Sequence, residues 1–120
     1  AMASDNKRLA APASVDSLPT SGMQEDHVSM AWLAVRKLRK VIDNVRRILA
    51  VEYVCAARAI DLRAPLQPSP ATDALRQRLR AEVAGCGPDR YLAPELQAAE
   101  ELLRVDALGD ALAGLGITLE

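Results

Sequence analysis

Apolar residues recur at alternating spacings of three and four through the middle of the chain, as on one face of an α-helix. No glycine or proline interrupts the sequence from His27 to Leu62. The apolar stripe comprises Val28, Ala31, Val35, Leu38, Ile42, Val45, Leu49, Ala56 and Ala59, with Glu52 in the same register. At 1.5 Å per residue, about 35 residues form a rod of roughly 50 Å. The pattern predicts one very long helix.

The two halves of this predicted helix differ in polarity. Arginines and lysines lie opposite the stripe in the first half, which indicates partial solvation. The second half, ILAVEYVCAARAI, is apolar almost all round and is expected to be buried on every side. Glu52 lies within it and is expected to pair with an arginine of a neighbouring helix, because an unpaired buried charge is costly. Cys55 is expected to be a small core residue.

Prolines and glycines separate the other elements. Residues 1–26 are expected to form a loop segment, although the first eight could also be the end of a helix. After RAPLQPSP, Ser69 or Thr72 can cap a helix over 73–84. A further helix is expected over 94–103, and the glycine-rich tail has room for one more. The predicted fold class is all-α, with one very long helix and two or three shorter ones, and the parts 1–26, 27–63 and 64–120 belong to one domain.

The shorter helices supply few large apolar side chains. They are too small to wrap a rod of the predicted length, so the exposed apolar surface requires another partner. The sequence therefore predicts self-association, or a remainder of the chain beyond these residues.

Charge and composition narrow the function classes. Fifteen basic and sixteen acidic residues give a net charge of −1, so no global field selects nucleic acid or an anionic membrane. The basic run RKLRK is a candidate nucleic-acid face, but it has no interleaved aromatic residues and is better explained as the solvated side of the long helix. No apolar segment free of charges indicates a membrane span or a signal region. We expect a cytoplasmic protein.

The cysteines and the single histidine do not form a recognisable metal or disulfide pattern. Cys55 and Cys86 are far apart in sequence, and no ligand spacing surrounds His27. Cys86 lies in a glycine-rich turn and is expected to be exposed. The sequence predicts neither a disulfide framework nor a metal site.

The sequence QEDH, Gln24 to His27, is the main candidate for chemistry. Acids beside a helix start are usually structural, because they complement the unpaired N–H groups of the first turn. A glutamate held in an enclosed pocket can instead act as a general base. The residues alone leave both interpretations open.

Three stretches of the chain form a recognisable set: SDNKRLAAPASVDSLPTSGMQEDHVSMAW, LAVEYVCAARAIDLR and GPDRYLAPEL. Together they resemble the C-terminal part of the histidine ammonia-lyases, within the aromatic amino acid lyase family. The resemblance runs from Ser4 to about Leu103, and the block PASVDSLPTSGMQEDHVSM is highly specific to that family.

The resemblance implies a helical-bundle enzyme of histidine catabolism, which converts L-histidine to trans-urocanate and ammonia. It also implies a homotetramer with active sites built from several subunits and long helices packed in a central bundle. The family's electrophile is a methylidene-imidazolone formed from an internal Ala-Ser-Gly. No Ala-Ser-Gly occurs in this sequence, so that group is expected upstream in a longer chain, and this chain alone is expected to be inactive.

By the match to QEDH, Glu25 is the implied catalytic residue near the substrate's imidazole and the electrophile, and Gln24 lines the same substrate-binding pocket. Whether Glu25 orients the ring or acts as a base stays open. Asp26 and His27 are assigned structural roles at the helix start. Relatives that act on phenylalanine or tyrosine tend to differ at the position of Glu25, which favours histidine. Met23 departs from the family pattern, since many members have asparagine there.

The alternative function is a non-catalytic helical oligomerisation or adaptor module that keeps the sequence without the chemistry. It is motivated by the missing electrophile precursor. Neither hypothesis requires nucleic acid or a membrane as a partner.

Overall fold

Helices account for all the regular structure that the computed structural model describes, which covers residues 1–15 and 17–118. Five α-helices and a short 3₁₀ turn follow one another along this part of the chain. They are α1 (Met2–Leu9), the 3₁₀ turn (Ala13–Val15), α2 (Ala31–Asp61), α3 (Pro70–Arg80), α4 (Ala93–Arg104) and α5 (Ala107–Ala113). The all-α prediction with one very long helix is confirmed. The segment 1–26 is not loop throughout, because its first residues form α1.

The long helix starts later than the sequence pattern suggested. It begins at Ala31 rather than near His27, and its first turn contains no acidic residue. The side-chain oxygen of Ser29 accepts the N–H group of Ala31 at 3.3 Å, and the backbone oxygen of Met30 accepts that of Ala34 at 3.0 Å. The Ser29 hydroxyl therefore satisfies one N–H group at the helix start, where the acids further upstream were expected to act.

The chain divides into two compact units, residues 1–45 and 46–120. In the first unit, Asn44 of α2 is buried and is the main polar link to α1. Its amide nitrogen donates to the Asp5 carboxylate at 3.2 Å and to the side-chain oxygen of Asn6 at 2.8 Å. Hydrogen bonding from Arg8, at 2.8 Å, is the main cause that holds the pKa of Asp5 below its ordinary value. These contacts explain why a short, polar segment is helical here.

The second unit contains the core. Its buried apolar side chains are aliphatic, as the absence of phenylalanine and the scarcity of other aromatics predict. They come from α2, α3, α4 and α5 and from Val83, which lies just after α3. One cluster of them comprises Ala50, Val54, Ala57, Leu79, Val83, Ala99, Leu102 and Ala107, and Leu112 is buried as well. Leu79 is completely enclosed. Small side chains let helices approach closely, so this core is stabilised by close contact between helices rather than by large aromatic side chains.

Only one side of the second half of α2 is covered within this unit, so the shorter helices of this chain do not themselves provide the predicted burial on every side. Ala50, Val54 and Ala57 share the covered face, as their spacing of four and three requires. Glu52 and Cys55 point away from that face and are exposed. The expected buried pairing of Glu52 and the expected core position of Cys55 are therefore both wrong for this chain.

Ion pairs fix the connections between the helices of the second unit. Asp61, at the end of α2, accepts from Arg76 at 3.1 Å and from Arg80 at 2.7 Å. Arg90 donates to both carboxylate oxygens of Glu95, and this contact holds the pKa of Glu95 below its ordinary value. Bidentate arginine–carboxylate pairs are directional, so they set the geometry of the turns that carry them.

The start of α3 resolves an alternative that the sequence left open. Ser69 is the N-cap, and its hydroxyl accepts the N–H group of Thr72 at 3.3 Å. Pro70 occupies the first helical turn, where it lacks only an N–H group that would be unpaired anyway. The helix consequently begins three residues earlier than the predicted 73–84 and ends at Arg80.

Candidate active site

The QEDH sequence lies in the segment between the 3₁₀ turn and α2, within the first unit. Two nested sets of hydrogen bonds close this segment into a loop. In the outer set, the Ser17 hydroxyl donates to the backbone oxygen of Val28 at 3.0 Å and accepts the Val28 N–H group at 2.9 Å. One serine side chain thus replaces the pair of backbone contacts that two strands would make, and it brings residues eleven positions apart together.

In the inner set, Thr20 and Glu25 face each other as an isolated antiparallel bridge. The Thr20 N–H group donates to the Glu25 backbone oxygen at 3.0 Å, and the Glu25 N–H group donates to that of Thr20 at 3.3 Å. The Thr20 hydroxyl also donates to Oε2 of Glu25 at 3.0 Å. Both the backbone and the side chain of Glu25 are therefore held by one residue.

Three successive residues with positive φ make the turn inside this bridge. Ser21, Gly22 and Met23 have φ values of 53°, 62° and 69°. Glycine adopts this left-handed conformation readily, whereas serine and methionine pay a steric cost of about 1–2 kcal/mol each. The turn reverses the chain so tightly that Thr20 and Glu25 meet across only four intervening residues.

The carboxylate of Glu25 keeps most of its capacity to accept hydrogen bonds. Its side chain is exposed, and within the described segments Oε1 has no hydrogen-bond partner. Gln24 is next to it, also exposed, with its N–H group donating to the backbone oxygen of Ser21 at 3.2 Å. A loop with a fixed backbone therefore presents one anchored carboxylate and one side-chain amide to the solvent.

Asp26 and His27 do not cap the long helix. Both are exposed and precede the first residue of α2 by at least four positions, so their carboxylate and imidazole lie outside its first turn. Because Ser29 covers the first N–H group, the helix-start interpretation of the QEDH acids is wrong. The alternative interpretation, a glutamate that acts in chemistry, stays a prediction, because the described residues leave Glu25 exposed and do not enclose it in a pocket.

The described residues contain no cluster of three or more histidine, cysteine, aspartate or glutamate side chains arranged to bind a metal ion. None of the described helices has the length and apolarity needed to cross a membrane. The chemistry that this loop offers is that of a preorganised carboxylate, which can accept a hydrogen bond from a substrate N–H group or receive a proton.

Sequence reasoning identified Glu25 and Gln24 but missed Thr20 and Ser17. The dipeptide Ser21–Gly22 is a turn signal, and a turn centred there brings the residues on either side together. That signal could have suggested that Thr20 faces Glu25, although it does not specify which side chains meet.

Comparison with known proteins agrees with this fold and loop. The family model for aromatic amino acid lyases matches residues 1–81, a range that contains the whole loop and α2. The chain belongs to the aromatic amino acid lyase family.

Individual relatives narrow the comparison. The histidine ammonia-lyase of Streptomyces avermitilis is 56% identical over 109 residues, which cover 90% of this chain and 21% of the relative. The crystal structure of histidine ammonia-lyase from Trypanosoma cruzi superposes with a TM-score of 0.88 at 35% identity, covering 94% of this chain and 22% of that one. A tyrosine aminomutase from Streptomyces globisporus superposes with a TM-score of 0.85 at 34% identity, covering 93% and 21%. The chain thus spans about a fifth of the length of the relatives it matches.

Proposed function

We propose that this chain is the C-terminal part of a histidine ammonia-lyase, which converts L-histidine to trans-urocanate and ammonia. The observation that carries the proposal is the identity of more than half of the residues with histidine ammonia-lyases over about nine-tenths of the chain. Histidine is the proposed substrate because the relatives that share more than half of this chain's residues are histidine ammonia-lyases. The solved structures do not discriminate between substrates, since the histidine ammonia-lyase and the tyrosine aminomutase are 35% and 34% identical to this chain.

In this proposal Glu25 is the catalytic residue and Gln24 lines the same substrate pocket. The elimination breaks the bond between the α-carbon and the amino nitrogen, removes a proton from the β-carbon and leaves a double bond between the two carbons. The Glu25 carboxylate suits either of two tasks: it can accept the imidazole N–H group and orient the ring, or it can receive the β-proton. Its exposed oxygen is available for both.

The family's methylidene-imidazolone supplies the electrophile in this chemistry. This sequence has no Ala-Ser-Gly from which that group could form, so the residues described here do not provide it. The proposal therefore assigns the group to another segment of a longer chain and limits the present residues to binding the substrate and moving its proton.

Self-association belongs to the same proposal. The first fifteen residues of α2 carry a row of exposed apolar side chains, which includes Trp32, Val35, Leu38, Ile42 and Val45. Such a row on a soluble helix is costly unless another apolar surface covers it. A homo-oligomer, and a tetramer in the complete enzyme, would provide that surface. The same row is the observation that favours the second candidate, a non-catalytic oligomerisation module.

The decisive experiment uses the longer chain that contains this sequence, offered L-histidine, L-tyrosine and L-phenylalanine separately. Urocanate formed from histidine alone supports the proposal. Product only from the other two would overturn the substrate, and no product from any would favour the module. The same assay on Glu25→Gln and Glu25→Ala separates the two tasks, since glutamine keeps an acceptor oxygen but cannot take up the proton.

If Glu25 is the base, both variants should lose about 100- to 10,000-fold in kcat, the usual contribution of general-base catalysis. If Glu25 only orients the ring, the glutamine variant should retain most of the activity that the alanine variant loses. Glu82→Gln is the matched control, because Glu82 is half-exposed and its ion pair with Arg78 joins two residues four positions apart on the surface. That control should remain within about twofold of the unmodified enzyme, as weak surface pairs predict.

A further inference from the structure

We infer that Thr20 is a positioning residue for the Glu25 carboxylate. The inference rests on the proposed function, and it concerns a residue that the QEDH match does not include. Its first support is the hydrogen bond from the Thr20 hydroxyl to Oε2 of Glu25, at 3.0 Å. A hydroxyl that donates to a carboxylate makes a charge-assisted bond, which is about twice as strong as a neutral one.

The second support is that the same two residues are joined by their backbones. Reciprocal N–H to oxygen contacts at 3.0 Å and 3.3 Å fix the distance between the α-carbons of Thr20 and Glu25. The hydroxyl therefore starts from a rigid base, and its bond to Oε2 restricts the side-chain torsions of Glu25 rather than merely following them. Fixing a glutamate side chain costs up to about 2 kcal/mol of conformational entropy. An exposed glutamate therefore stays in one conformation only when a specific contact holds it there.

The third support is that the two carboxylate oxygens of Glu25 differ in their contacts. Thr20 occupies Oε2, whereas Oε1 has no partner among the residues that the structure describes. One oxygen is thus anchored and the other faces outwards. This is the arrangement that a preorganised acceptor needs, because the geometry is set before the substrate arrives.

The fourth support is that the loop is closed independently of this bond. The contacts between Ser17 and Val28 hold the ends of the loop, and the reciprocal backbone hydrogen bonds between Thr20 and Glu25 hold the two sides of its turn. The Thr20 hydroxyl is therefore not needed to form the loop, and its removal should affect the Glu25 side chain more than the backbone.

The test uses the complete longer chain and compares Thr20→Val with Thr20→Ser. Valine keeps the β-branched shape and both backbone contacts but removes the hydroxyl, whereas serine keeps the hydroxyl. Loss of a hydrogen bond to a charged group corresponds to about a 10- to 100-fold decrease in kcat/KM for histidine. The serine variant should stay within about threefold of the unmodified enzyme, and Thr118→Val, the same change at an exposed position near the end of the described chain, should have no effect.

A double-mutant cycle supplies the readout that a purely structural role would not change. If Thr20 acts through the Glu25 carboxylate, Thr20→Val should cost much less in a Glu25→Gln background than in the unmodified enzyme. An equal loss in both backgrounds, or an equal loss in the serine and valine variants, would overturn the inference and leave the proposed function intact. If the unmodified enzyme does not deaminate histidine, the proposed function fails and this inference fails with it.

Discussion

Leu79 offers the most quantitative test of the core. It is fully enclosed in a buried cluster of mostly alanine and valine, and larger, partly buried side chains pack against that cluster, among them Tyr53, Leu96, Leu103 and Leu108. Leu79→Ala removes three carbon atoms, which corresponds to about 2.4 kcal/mol of lost burial at about 0.8 kcal/mol per methylene. The surrounding helices relax only partly into the space that remains, so a cavity term of about 1 kcal/mol adds to this loss.

We therefore expect Leu79→Ala to lower the free energy of unfolding by about 3–4 kcal/mol, within the range seen for leucine truncations in cores. The assay is urea unfolding of the 120-residue chain followed by far-ultraviolet circular dichroism, at one fixed protein concentration because association would otherwise alter the result. Leu62→Ala is the control, since Leu62 is 72% exposed and its truncation should cost less than about 0.5 kcal/mol. A loss below about 1 kcal/mol for Leu79→Ala would refute the packing described here.

Three further predictions follow from local geometry. Gly22→Ala should lower the free energy of unfolding by about 1 kcal/mol because of its positive φ alone, since an added Cβ meets nothing within 4 Å. Gly114→Ala is the control, because Gly114 has a helical φ of −58° and its substitution should not have this cost. Equal effects of the two substitutions would contradict this prediction. Ser69→Ala should cost about 1 kcal/mol by removing the N-cap of α3, and an unchanged urea midpoint would argue against the cap. Arg90 lowers the pKa of Glu95 in the folded chain. The ionised Glu95 therefore stabilises the fold at pH values above 4.5, the ordinary pKa of the group, and this stabilisation is lost as pH falls through the folded pKa. Arg90→Gln should flatten the acid limb of the stability–pH profile, and an unaltered limb would exclude this ion pair as a source of the pH dependence.

The sequence was a good guide to which helices exist and a poorer guide to where they begin. The long helix was predictable because the stretch from His27 to Leu62 contains no glycine or proline, which leaves few alternatives to a continuous amphipathic helix. Its start at Ala31 was not, since Ser29 and the QEDH acids are all acceptable caps and only the loop geometry decides between them. At α3 the choice between Ser69 and Thr72 was equally open.

Burial was predicted least well, for a physical reason. The segment ILAVEYVCAARAI is apolar on nearly all sides, and the pattern shows that it can be buried without showing what covers it. In the second unit the shorter helices cover only the face with Ala50, Val54 and Ala57. Cys55 is exposed because it lies on a different face of α2 from those three residues. The spacing of apolar residues does not show which of the apolar faces is covered.

The candidate site could be located from the sequence, but its geometry could not. QEDH and its flanking block marked Glu25, because that block is specific to the family. The contact from Thr20 depends on three left-handed residues in a row, and sequence rules predict that conformation with confidence only at Gly22. A serine and a methionine with positive φ are exceptions to the usual preferences, and the positions of Thr20 and Glu25 depend on them.

The left-handed conformation of Ser21, Gly22 and Met23 also indicates what the loop does. Holding Ser21 and Met23 left-handed costs about 1–2 kcal/mol each, and glycine or asparagine at either position would lower that cost. A connection between the 3₁₀ turn and α2 does not by itself require left-handed residues at these positions, and Ser29 meets one N–H group at the helix start without the acids. What the strained turn does achieve is to place the Thr20 hydroxyl on Oε2 of Glu25 while Oε1 stays exposed. Unfavourable backbone conformations concentrate at functional sites, where the surrounding contacts maintain them. The strain is therefore best explained by the orientation of the carboxylate, and this links the backbone of the loop directly to the chemistry proposed for it.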